Sequence, residues 1–205
     1  MSSSFSWSDP FLLDDQLSEE ERMIRDSAAA FAEAELLPRV NEAYLHETAA
    51  PELFPLMGKA GLLGLTLPEK YGAANANYVS YGLVAREVER IDSGYRSMMS
   101  VQSSLVMYPI EAYGSEAQKK KYLPLIATGK LRAAISFTEP SGGTDLLGSM
   151  RTNATRVEGG WKLNGEKIWS SSAHVADYLL VIARSNRNIT KNHQGLSLFW
   201  VSTKS

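Results

Sequence analysis

Hydrophobic periodicity changes near residue 132, and that change limits the fold more than any other feature of these 205 residues. Ahead of it, apolar side chains recur at helical spacing; beyond it, short apolar or alternating runs are broken by glycine turns. Ser18-Glu19-Glu20-Glu21 is a capping box, whose hydroxyl and carboxylate satisfy free amides at a helix start, and Ile24, Ala28 and Phe31 follow on one face. Pro38 predicts where this helix stops or bends, because proline cannot continue the hydrogen-bond ladder. A second helix follows Pro51 with Leu53, Phe54, Leu56 and Met57, and Gly61 and Gly64 are its expected terminators. Residues 65–77 read as loop. Val84, Val88 and Ile91 mark a third helix; Ser93-Gly94 is expected to break it before a fourth over residues 96–113, with Gly114 as its C-cap residue. Ser115-Glu116-Ala117-Gln118 repeats the capping box and opens a helix ending near Gly129.

Residues 133–137 form a short apolar run, residues 151–158 alternate, and Gly159-Gly160 is a hairpin signal. Asn164-Gly165 reads as another tight turn, and residues 178–183 and 196–201 as further strands. Helices followed by strands make an α+β chain: an all-α domain over residues 1–131, then an incomplete β-barrel or sheet domain over residues 132–205. The sequence reaches Ser205 directly after a strand.

With 44% hydrophobic and 21% charged residues, the chain can bury a core. A formal net charge of -2 leaves no basic footprint, which argues against nucleic acid as a partner; Lys119, Lys120 and Lys121 spread around a helix as solvated charges. Cysteine is absent, which removes disulfides, thiolate metal sites and cysteine nucleophiles, and a reducing compartment fits. His46, His174 and His193 are too scattered for a metal site. No segment approaches ~20 apolar residues, and the N-terminal residues lack the features of a signal peptide, so a soluble, unexported protein without membrane insertion is expected.

The chemistry-bearing segment runs Ile135-Ser136-Phe137-Thr138-Glu139-Pro140-Ser141-Gly142-Gly143-Thr144-Asp145. It passes from apolar residues to a hydroxyl, a rigid turn and two glycines, as a backbone needs when it bends around a planar or anionic ligand. Lys167-Ile168-Trp169-Ser170-Ser171-Ser172 then sets a broad aromatic face beside hydroxyl donors. A flavin suits both motifs. When isoalloxazine accepts a hydride at N5, negative charge gathers around N1 and O2, and a fixed donor such as Thr138 favours the reduced state. Taken alone, a strand tryptophan is ordinarily core, and Thr-Glu-Pro carries little information.

Together the two motifs resemble the middle domain of the acyl-CoA dehydrogenase family, whose pattern is Thr-Glu-Pro, a Gly-Ser/Thr-Asp, and later a Trp followed by Ile/Ser-Thr/Ser. The resemblance runs over residues 5–183. It implies FAD, with Ile135, Ser136, Phe137 and Thr138 along the flavin ring and Gly143 and Thr144 at the pyrophosphate and the thioester end of the cleft. By the same resemblance Trp169 covers the ring system, Ser171 donates to N5, and Ser170 between them is also a cofactor-binding residue. Upstream, residues 89–107 look like the glutaryl-CoA dehydrogenase branch. There Arg96 would hold the distal carboxylate of a dicarboxylyl-CoA through two parallel hydrogen bonds, with Ser97 adding a hydroxyl and Glu89 tuning the charge. By charge alone, Arg96 reads as a surface arginine paired with Asp92 or Glu89.

The implied reaction is α,β-dehydrogenation of glutaryl-CoA to glutaconyl-CoA, then decarboxylation to crotonyl-CoA, as in lysine and tryptophan degradation. Electrons would leave to an electron-transfer flavoprotein. A cytoplasmic homotetramer, in the mitochondrial matrix if the source is eukaryotic, is the family expectation. The family also implies a C-terminal four-helix domain carrying a glutamate base. None of Glu33, Glu35, Glu87, Glu111 or Glu116 stands in that context, so no base is assigned, and the remainder is expected to be absent, cleaved off or supplied as a second chain. The branch usually has Trp-Ile-Thr-Asn, Asn-Ser-Gly-Ser-Asp and a histidine where this chain has Trp169-Ser170-Ser171-Ser172, Ser141-Gly142-Gly143-Thr144-Asp145 and Tyr108. Another short-chain acyl-CoA, a carrier-protein-bound acyl group, or an inactive remnant binding acyl-CoA or a partner stay open as alternatives.

Overall fold

The computed structural model describes residue 7 and residues 9–48, 50–186, 188 and 191–204. The signal-peptide reading of residues 1–6, the start of the family resemblance at Phe5, and Ser205 lie outside the described residues.

Ser18 caps α1 (Glu19–Phe31) with both arms of the box: its hydroxyl accepts from Glu21 N at 3.2 Å, and Glu21 accepts from Ser18 N at 2.8 Å. The helix does not stop at Pro38. A π-helical turn over Ala32–Leu36 leads into α2 (Leu37–Leu45), and the wider turn accommodates the ladder bond that Pro38 cannot donate. Next come α3 (Leu53–Lys59) and α4 (Tyr78–Glu89). The break after α4 falls before Ser93-Gly94, because Asp92 is the N-cap. Its Oδ1 accepts from Gly94 N at 2.7 Å, which starts α5 (Ser93–Ser100) three residues ahead of Arg96. The stretch that follows is not one regular helix but a π turn at Val101–Met107 leading into α6 (Tyr108–Tyr113). Gly114 ends it in extended, not left-handed, backbone. The second capping box opens α7 (Glu116–Ala127). Leu36, Leu53, Met57, Val84, Val88 and Met99 fill the helical core with no exposed surface, each worth about 1.5–3 kcal/mol of burial.

The sheet is built around β4 (Tyr178–Arg184). β1 (Ala133–Ser136) lies parallel beside it with Ile135 opposite Leu180, and β5 (Leu196–Ser202) runs antiparallel with Trp200 opposite Leu180. β2 (Asn153–Val157) and β3 (Gly160–Asn164) form the expected hairpin, joined to β4 through Asn153 opposite Arg184. The turn expected at Asn164-Gly165 does not form. Gly165 serves a close approach instead: a Cβ there would lie 2.4 Å from Thr152 Oγ1 and 2.6 Å from Thr152 Cα. A four-residue helix, α8 (Leu146–Ser149), sits between β1 and β2.

Helices and strands share a second core cluster, in which Val106, Met107, Leu123 and Ile126 meet Ala133, Ile135 and Leu180. Gln102, fully buried in the π turn, makes the junction specific. Its Nε2 donates to Leu131 O at 2.8 Å and Ile126 O at 3.3 Å, and its Oε1 accepts from Ala133 N at 2.9 Å. The start of β1 is therefore fixed by the α5–α6 helix. Arg132 and Asp177, 3.1 Å apart in a two-pronged pair, tie the beginnings of β1 and β4. Among the described residues no helix is long and apolar enough to cross a membrane.

Candidate functional site

β1 carries the chain out of the core: Ile135 and Ser136 are buried, whereas Phe137 and Thr138 are half-buried. Because the Ile135 side chain belongs to the core cluster, any ligand contact it makes is through its backbone. The chain then turns sharply, with paired backbone bonds between Glu139 and Gly142 at 3.0 and 3.2 Å. Asp145 caps α8 by accepting from Gly148 N at 3.0 Å. Gly143 and Thr144 are exposed on this loop. A Cβ at Gly143 would come within 3.2 Å of Thr138 Cγ2, so glycine keeps open the space in front of the Thr138 side chain.

The Trp169 segment packs onto the same stretch of backbone. Ile168 N donates to Thr138 O at 2.9 Å, Ser170 Oγ bonds Ser136 Oγ at 2.9 Å, and Lys167 Nζ donates to Phe137 O at 2.9 Å and Glu139 Oε1 at 2.8 Å. The two motifs singled out in the sequence are thus one site. Trp169 is not core: it is 85% exposed and holds φ 55, the left-handed region that a bulky side chain avoids. Ser171 is exposed, and among the described residues neither its hydroxyl nor that of Thr138 has a hydrogen-bond partner. Two hydroxyls without a protein partner among the described residues, an open glycine and an exposed aromatic face make a surface suited to a planar, polar-edged ligand.

Beneath it lies a polar centre that the sequence did not reveal. Glu139, 3% exposed, accepts from Arg151 N at 2.6 Å and Thr152 N at 3.0 Å as well as from Lys167. Burial works against its ionisation, yet the bonds from Lys167 and the two amides prevail and hold its pKa at about 2.

Arg96 stands on α5, half-buried. Its Nε pairs with Glu89 on α4, and its Nη1 donates to Ser100 Oγ at 3.1 Å. Ser100 in turn donates to Ser97 O at 3.1 Å. Ser100, one turn on from Arg96, is thus a partner of the guanidinium that the sequence reading did not single out, although its i, i+4 spacing was the available signal. Asp92 is engaged as the helix cap. No hydrogen bond among the described residues joins the Arg96 cluster to the Trp169 segment, but the two are parts of one framework, since the π turn following α5 packs against β1. No group of three or more potential metal ligands occurs among the described residues.

Residues 18–130 match the family description "Acyl-CoA dehydrogenase, N-terminal domain" and residues 134–205 "Acyl-CoA dehydrogenase, middle domain". An acyl-CoA dehydrogenase of Bacillus subtilis (strain 168) is 35% identical over 90% of this chain and 48% of its own length. A mitochondrial 2-methylacyl-CoA dehydrogenase of Solanum tuberosum is 32% identical over 95% and 46%. A crystal structure of a glutaryl-CoA dehydrogenase from Mycobacterium smegmatis in complex with FADH2 superposes with a TM-score of 0.88 at 38% identity, over 95% of this chain and 48% of that one. The chain spans about half the length of the relatives it matches. With both stretches matched in order and the two motifs meeting at the end of β1, the chain belongs to the acyl-CoA dehydrogenase family.

Proposed function

We propose that this chain forms the flavin- and acyl-binding part of an FAD-dependent dehydrogenase acting on an acyl-CoA thioester, with glutaryl-CoA as substrate. The observation that carries the reading is the convergence of residues 136–144 with the exposed, strained Trp169. FAD held there would supply the hydride acceptor for the thioester β-carbon. Thr138 would offer its hydroxyl, and Phe137 and Thr138 their backbone, to the polar edge of the ring, with Ile135 and Ser136 bordering it through the strand. Ser171 would donate from the other side. Trp169 would shield the ring face from water, while Ser170, bonded to Ser136, keeps the segment against β1. Gly143 and Thr144 would lie against the pyrophosphate and the thioester.

The tail preference rests on Arg96. Its guanidinium is already held by a carboxylate and a hydroxyl, Glu89 and Ser100, so a substrate carboxylate would meet a cation with fixed orientation. Ser97, on the same helix, would add a further donor. Each turnover would leave two electrons on the chain's cofactor, and an electron-transfer flavoprotein is the proposed acceptor. The test is the visible spectrum of purified protein titrated with FAD and then, without oxygen, with glutaryl-CoA. A bound flavin band that bleaches supports the whole reading. A band that responds to butyryl-CoA but not to glutaryl-CoA would remove the dicarboxylyl assignment, and absence of flavin uptake would remove the cofactor assignment.

A further inference from the structure

Trp169 poses a mechanical question. An exposed aromatic in left-handed backbone gains nothing from packing to offset its strain, so its conformation must be imposed by its neighbours. Among the described residues, the segment's hydrogen bonds to distant chain reach four consecutive residues: Ser170 to Ser136, Lys167 to Phe137, Ile168 to Thr138, and Lys167 to Glu139. Lys167 supplies two of these bonds and is itself only 10% exposed, so its charge is shielded from salt and water. Glu139 is held at the far end by the amides of Arg151 and Thr152, ahead of β2. One buried ion pair thus links three stretches of chain: the end of β1, the entry to β2 and the approach to Trp169.

We propose that the Glu139–Lys167 pair is a positioning device that aims the Trp169 segment before any flavin binds, setting the shape of the cradle in advance. The consequence for flavin affinity rests on the FAD reading above; the aiming itself does not. A ligand that meets a formed site is spared the cost of ordering it, so loss of the pair weakens binding without touching any ligand contact. Replacing both partners by neutral residues of similar volume leaves no buried orphan charge, so the loss is limited to the hydrogen bonds that the pair makes to the backbone. That separates aiming from scaffolding.

The variants are Glu139→Gln with Lys167→Met together, Glu139→Gln alone, and Lys167→Arg, which keeps the cation and its reach. In the full chain without flavin, the double variant is expected to melt a few degrees lower, because the glutamine can accept from only one of the two amides and Phe137 O loses its donor, while the Ile168 amide exchanges about 10-fold faster, over and above any change shared by the amides of β1 and β4. Glu139→Gln alone should give a smaller rise of the same kind, and Lys167→Arg should behave as the parent. FAD, followed by quenching of its fluorescence, should bind the double variant about 10-fold more weakly, a difference of about 1.4 kcal/mol. Unchanged Ile168 protection in the double variant, or acceleration spread equally over β1 and β4, would overturn the proposal whatever the flavin does. If Ile168 exchange rises as expected but the parent takes up no FAD, the aiming role stands and the cofactor reading falls.

Discussion

Arg96 contributes little to stability where it stands, since a half-exposed ion pair is worth at most about 1 kcal/mol. Arg96→Ala should therefore leave the melting temperature nearly unchanged. In the dehydrogenase proposed above, kcat/KM for glutaryl-CoA should then fall about 100-fold while that for butyryl-CoA moves less than about 3-fold, the difference expected when one partner of a desolvated charge pair is removed. Equal losses on both substrates would return Arg96 to a plain surface role. Two other charges act on the fold. Glu139 and Asp177 are lowered from ordinary values of 4.5 and 3.8 to about 2, the first against its burial by Lys167 and backbone amides, the second chiefly by Arg132. A carboxylate lowered in the folded state adds stability above its unfolded pKa and loses it as pH falls through the folded one. Thermal stability should thus hold above about pH 5 and decline towards pH 2, with Asp177→Asn flattening part of the decline; an equally steep decline in that variant would refute its share. Thr138 and Trp169 could be singled out as candidates from the sequence because each belongs to a local motif. Glu139 and Lys167 sat in the same motifs and were not, because their pairing spans 28 residues and exists only once β1 and the Trp169 segment meet.

Helix starts were legible for the same reason that local motifs are. Both capping boxes close over three residues, and both are present as the sequence implied. The π turns were not, because an ordinary apolar stripe reads the same through them, and what sets the second one is remote: Gln102 bonds to Ile126 and Leu131 at the end of α7 and to Ala133 on β1. The missing turn at Asn164-Gly165 has a similar origin, with Thr152 on a neighbouring stretch demanding a residue without Cβ. Gln102→Met keeps the volume but leaves a buried N–H and two carbonyls without their partner. It should cost about 3 kcal/mol in chemical unfolding, more than its size change alone explains. A loss below about 1 kcal/mol would mean that packing, not hydrogen bonding, joins the helices to the sheet.

Across the whole molecule, the α+β order and the strand content were readable, whereas the way the sheet is covered was not. A groove of about 420 Å³ runs between α6, α7 and the β4–β5 face, lined by Ile110, Tyr113, Tyr122, Leu198 and Trp200 among others, and it shares no residue with the Trp169 site. Apolar surface beside a strand that pairs on one edge among the described residues favours self-association. Light scattering of this chain alone should rise with concentration, and Leu198→Lys, on the half-open β5, should suppress the rise; scattering unaffected by that change would place the contact elsewhere. The π turn at Val101–Met107 has its own consequence for how such a chain can change over generations. A π turn holds one residue more than the regular helix around it needs, so deleting a residue there would restore an unbroken ladder. Because the wide turn absorbs its extra residue locally, such a deletion would leave the stretches on either side, with Arg96 and Ile110, facing much as they do now. What it would remove is the bulge that carries Gln102 to Ile126, Leu131 and Ala133, so the cost of shortening this helix falls on the seam between helices and sheet and not on the faces it presents elsewhere.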